Sequence, residues 1–74
     1  MEDLFWTTLL VNGKNAEYHI LFEEEEYRFF PKESSIATYR FKREHDEWLA
    51  ADQASEEVKD MAVEALEKYL LRQH

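Results

Sequence analysis

Seventy-four residues, 45% of them apolar and none of them cysteine, with a formal charge of −8, describe one small domain burying roughly 60% of its unfolded surface, without disulfides, thiolate zinc or thiol catalysis. That charge repels nucleic-acid phosphates and anionic lipid at long range, so both are disfavoured as partners and basic proteins are favoured. No apolar run approaches the roughly 18 residues of a membrane span, Met1-Glu2-Asp3 is unlike the basic start of a signal peptide, and a cytoplasmic protein is expected.

Two tryptophans, four tyrosines and five phenylalanines are too many for a disordered acidic tail, so the charge sits on a folded body. Leu4 to Val11 is rich in strand formers and runs into Asn12-Gly13, a strong hairpin signal. Ala16 to Glu23 alternates Tyr18, Ile20 and Phe22 against Glu17, His19 and Glu23, the period of a strand with one buried face. A four-residue loop over Asn12 to Asn15 sets Val11 against Ala16, Leu9 against Tyr18, Thr7 against Ile20 and Phe5 against Phe22, with His19 opposite Thr8. A two-residue turn shifts the pairing by two positions and keeps the same faces.

Glu23 to Glu26 reads as a strand end and solvated turn, and Tyr27 to Pro31 as a short third strand closed by Pro31, whose missing amide cannot join a ladder interior. After the polar turn Lys32 to Ser35, Ile36 to Arg43 alternates Ala37, Tyr39 and Phe41 against Thr38, Arg40 and Lys42, a fourth strand with a basic outer face. Arg28, Arg40, Lys42 and Arg43 are expected to serve as cross-strand partners for the glutamates. Glu44 to Glu47 is a charged turn, and Trp48 to Ala51 a brief fifth strand or an apolar anchor. From Ser55 to Arg72, Val58, Met61, Ala62, Ala65, Leu66, Tyr69 and Leu70 form one apolar stripe at helical spacing. Ser55 is the natural N-cap; Glu56 and Glu57 suit the positive end of the helix dipole, and Lys68 and Arg72 the negative end.

These elements predict an α+β fold: an antiparallel β-meander of four to five strands with one C-terminal amphipathic helix packed across one face, a two-layer ββββα arrangement over residues 1–74. The core comprises Phe5, Leu9, Val11, Tyr18, Ile20, Phe22, Phe29, Tyr39, Phe41 and Trp48, closed by the helix stripe. In element order, strands followed by a C-terminal helix are similar to the latter part of double-stranded-RNA-binding domains, but those present a basic helix start to phosphates and this helix opens Ser55-Glu56-Glu57. No RNA-binding function is implied.

One helix covers one face, so the outer face carries Trp6, Leu10, Leu21, Phe30 and Ile36 beside Thr8, His19, Thr38 and Arg40. Either sheet twist hides some of these groups against loops, or they form a contact patch. On the second reading Trp6, Leu10, Leu21, His19 and Phe30 bind a partner protein or a second copy, and the chain is a small cytoplasmic interaction or regulatory module. One alternative is an acidic nucleic-acid mimic that uses Glu23 to Glu26 and the acidic helix face to occupy a basic protein groove. Another is a metal site or enzyme around His45-Asp46-Glu47. That cluster lacks an H-E-x-x-H helix or an EF-hand loop, no Gly-rich loop holds phosphate, Ser34 and Ser35 lack a nucleophile elbow, and His19 lacks a companion acid and nucleophile. No catalytic, cofactor-binding or metal-ligating residue is therefore assigned, and a non-enzymatic protein without a cofactor is expected.

Overall fold

The protein's computed structural model describes residues 2–72, with Glu2 by its backbone alone. The strand-forming runs meet at three two-residue turns. β1 (Glu2–Val11) and β2 (Lys14–Glu23) join at Asn12-Gly13, β2 and β3 (Glu26–Pro31) at Glu24-Glu25, and β4 (Tyr39–Glu44) and β5 (Glu47–Ala50) at His45-Asp46. All six turn residues have positive φ, from 49° at His45 to 78° at Gly13. That is the left-handed pair a primed hairpin turn requires, and its twist matches that of the flanking strands.

Of the two registers left open after Val11, the chain takes the two-residue turn. Val11 pairs with Lys14, Leu9 with Ala16, Thr7 with Tyr18 and Phe5 with Ile20, so His19 stands opposite Trp6 and not Thr8. The chain reverses within Asn12-Gly13, because both accept a left-handed backbone, and Lys14 and Asn15 are free to extend β2. The faces are unchanged, since the shift is even. A register shift between Asp3 and Phe5 marks a bulge at Leu4.

The fourth strand begins at Tyr39, not Ile36. Lys32 N–H donates to the Glu17 carbonyl at 2.9 Å, prolonging β3 along β2; Ile36 N–H then donates to Glu33 O at 3.2 Å, and the Tyr18 hydroxyl donates to Ala37 O at 2.6 Å. Residues 36–38 are thus held by a turn and a side chain, not by a ladder. Ile36 packs against the core, where the outer face was expected, and Ala37 is exposed. Pro31 does close β3: by alternation its missing amide would face β4, which pairs with β3 only as far as Phe29 with Tyr39.

The result is an antiparallel five-stranded sheet in the order β1-β2-β3-β4-β5, followed by α1 (Glu56–Arg72). Ser55 Oγ accepts from Val58 N–H at 3.2 Å and Ser55 O from Lys59 N–H at 2.9 Å, which caps the helix as its sequence predicts. The helix runs back along β1: its start borders Val11, and near its end Tyr69 stacks on Phe5 with centroids 4.7 Å apart and planes 15° apart. Between the layers, Leu9, Tyr18, Ile20, Phe29, Phe41 and Leu66 are fully buried. Phe29 and Phe41 meet edge to face at 5.3 Å, a favoured aromatic geometry. Removing one such ring costs about 3–5 kcal/mol, a large part of what a domain this small has to lose.

Candidate binding surface

A two-residue turn makes its flanking pair, Val11 and Lys14, a hydrogen-bonded one, and pairs alternate from there. Trp6 and His19 therefore form a non-hydrogen-bonded pair, the kind in which side chains come closest. Their rings lie flat on each other, 4.6 Å apart and 5° from parallel. On the next strand His19 pairs with Phe30, so Trp6, His19 and Phe30 make one continuous row across β1, β2 and β3 on the face away from the helix. Trp6 is 57% exposed and Phe30 36%, while His19 is half-buried between them with Nε2 3.7 Å from Asp3 Oδ1.

The same alternation turns the backbone N–H and C=O groups of Trp6, Thr8 and Leu10 away from β2. β1 ends the sheet, so these groups line an open edge. Leu10 is half-buried near the hairpin, bordering a cavity of about 330 Å³ shared with Ser55 and Val58. Leu21 departs from expectation: it is on the outer face yet only 8% exposed, outside the core, with Asp3 and Arg28 as its cross-strand neighbours. It is a covered support beneath the surface and not an exposed anchor. Of the five partner-binding candidates, Trp6, His19 and Phe30 are brought into one row, and Leu10 and Leu21 lie to either side of it.

Arg28 controls the other half of the outer face. Its guanidinium donates to Glu23 at 2.8 Å, Glu26 at 3.2 Å and Glu24 at 3.4 Å, so three of the four glutamates surround a cation where a wholly solvated run was expected. Glu23 and Glu26 are half-buried as a consequence. Arg40 forks onto Asp52 at 2.9 and 3.1 Å. This hydrogen bond, with the guanidinium charge, holds the Asp52 carboxyl below its ordinary pKa and raises that of Arg40. Arg43 approaches Asp46 at 3.7 Å and lies over the Trp48 ring at 5.5 Å, whereas Lys42 stands opposite Leu49, not a glutamate. The outer face thus has an apolar half on β1 to β3 and an ionic half toward β4.

His45 and Asp46 are the exposed tip of the β4–β5 hairpin, and among the described residues no three His, Asp or Glu side chains are grouped to hold a metal. Ser34 and Ser35 are exposed in the connection after β3. Burial, then the neighbouring Tyr39, pushes the Tyr18 hydroxyl up to about 12, which keeps it a protonated structural donor to Ala37. Among the described residues no helix is long and apolar enough to cross a membrane.

The continuous Trp6-His19-Phe30 row escaped the sequence because it depends on a register that the sequence left open between two values. A second feature was also missed. Leu49 is 43% exposed on β5, the other end strand, and borders a groove against Val63 of the helix, a residue lying outside the apolar stripe. Val63, an apolar residue off the stripe with Lys59 and Asp60 one helical turn before it, was the available signal. Set against known protein families, curated proteins and solved structures, the chain matches none of them.

Proposed function

We propose that this protein is a small protein-binding module that adds an extended, basic segment of a partner to the open edge of β1, with Trp6 as the anchor. The observation that carries the reading is Trp6 itself, 57% exposed on an end strand and held flat by His19 in one row with Phe30. A tryptophan pre-oriented by stacking loses little rotamer freedom when covered, and truncating such an anchor typically costs at least about 2 kcal/mol of binding. Strand addition draws affinity from the outward amides of Trp6, Thr8 and Leu10 and specificity from their side chains. The charge of −8 favours a basic occupant and repels a second copy. The lack of cysteine supports a reducing cytoplasm as the place where it acts. The nucleic-acid-mimic reading is weaker, because Arg28 already engages Glu23, Glu24 and Glu26.

Thr8→Pro separates strand addition from mere stickiness, since it deletes an outward amide and leaves the β1–β2 ladder intact. With a synthetic peptide alternating lysine and valine, amide exchange at Trp6, Thr8 and Leu10 should slow on binding. Thr8→Pro and Trp6→Ala should each weaken binding about tenfold or more with circular dichroism unchanged. Equal binding by the folded Thr8→Pro protein rules the reading out.

A further inference from the structure

At the opposite end of the sheet from β1, an open groove of about 590 Å³ runs between β5 and α1. Its apolar lining comes from Val63 and Trp48, with Leu49 at the margin; Trp48 is nine-tenths buried and its indole N–H finds no acceptor among the described residues. Its rims are acidic: Glu47 on the strand side, and Asp60, Glu64 and Glu67 on the helix. One lysine, Lys59, also borders it, so the lining carries four carboxylates against one cation; Lys68, which reaches Glu64 at 3.0 Å, sits at an exposed pair that is easily exchanged.

We propose that this groove docks a basic amphipathic helix of a partner protein, laid alongside α1. Three observations select that occupant. Asp60, Glu64 and Glu67 fall at i, i+4 and i+7, a ladder about 10 Å long that meets lysine or arginine at the same spacing on a neighbouring helix. Val63 and the covered Trp48 provide the apolar seat beside the charges, with Leu49, which alternates onto the outer face opposite Lys42, at its margin. A strand is a poor fit here, because Leu49 pairs inward with Lys42 and Ala51 N–H is engaged by Arg40 O, which leaves only Trp48 and Ala50 facing the edge. This surface shares no residue with the β1 edge and stands without it.

The test uses two synthetic peptides of identical lysine and leucine content, one with amphipathic helical spacing and one scrambled. Both are titrated into the full chain labelled for amide NMR. The helical peptide should perturb Leu49, Val63 and Glu64, bind about tenfold more tightly than the scramble, and weaken as salt rises. Leu49→Asp and Glu64→Lys, both at exposed positions, should each erase that preference with circular dichroism unchanged, while Thr8→Pro leaves it intact. Equal affinity for the two peptides overturns the proposal, because charge alone would then explain binding. So does perturbation confined to β1, which leaves the strand-addition reading standing and this one refuted.

Discussion

Glu24 and Glu25 hold φ of 54° and 63°, and His45 one of 49°, in positions that Asn12 and Gly13 fill without strain. A side chain other than Asn or Asp costs about 1–2 kcal/mol there. Replacing Glu24 by Asn and Glu25 by Gly should therefore stabilise the protein by about 1–2 kcal/mol, and raise Tm by roughly 4–8 °C for each kcal/mol, read by thermal unfolding. The loss is small: Glu24 reaches Arg28 only at 3.4 Å and from an exposed carboxylate, and Glu23 and Glu26 remain. Gly13→Ala is the converse case. Nothing lies within 4 Å of the added Cβ, so any loss comes from φ alone. Tyr18 supplies a pH-dependent test. Its hydroxyl pKa rises from 10.0 to about 12 in the fold, first through burial and then through Tyr39. The neutral form is the one the fold favours, so this stabilisation is complete below the unfolded pKa and is lost as pH climbs between those two values. Tyr18→Phe should remove about 1 kcal/mol at neutral pH and flatten the alkaline decline in urea titrations.

At the scale of elements, the helix start should answer to its cap. Ser55→Ala removes the acceptor for Val58 N–H and should cost about 1 kcal/mol, whereas Ser55→Gly should cost only a few tenths, both measured by thermal melting of the helical signal. That cap was legible because Ser55, two glutamates and a helical stripe follow one another in sequence. The strand faces were legible for another reason: an even shift of register moves partners but never exchanges sides, so Tyr18, Ile20 and Phe29 were placed inward whichever turn formed. The partners themselves were not legible. Lys14 and Asn15 are polar enough for loop or strand, and only the left-handed Asn12-Gly13 pair decides between them. Residues 36–38 continue the alternation of β4, but the Tyr18 hydroxyl, far away in sequence, binds Ala37 and draws them off the ladder. Leu21 was expected to be exposed because one helix covers only one face, yet it is 8% exposed with Asp3 and Arg28 as its cross-strand neighbours, partners that only the register reveals. The binding row inherits these gaps, since Trp6 meets His19 only in the register that the short turn imposes.

The whole molecule carries −8 on a body of 31 × 23 × 21 Å, comparable in size to the Debye length of roughly 30 Å at 0.01 M salt, so at low ionic strength its charges act on one another across the whole body. Self-repulsion within one chain and mutual repulsion between two chains then have the same origin and the same remedy. Salt weakens the exposed pairs Lys32–Glu17 and Lys68–Glu64, but such pairs contribute at most about 1 kcal/mol each, so relief of the net repulsion should win and stability should rise with sodium chloride. Between chains, the long apolar edge of β1 is a template for pairing that only charge and the bulge at Leu4 restrain. Light scattering should therefore find a 9.0 kDa monomer at low ionic strength and growing association as salt is added. Thr8→Pro should stay monomeric throughout, because the contact needs the amide it deletes. If the wild-type chain associates most at low salt, ion pairs between copies drive assembly instead, and repulsion is not what keeps the β1 edge open for a basic partner.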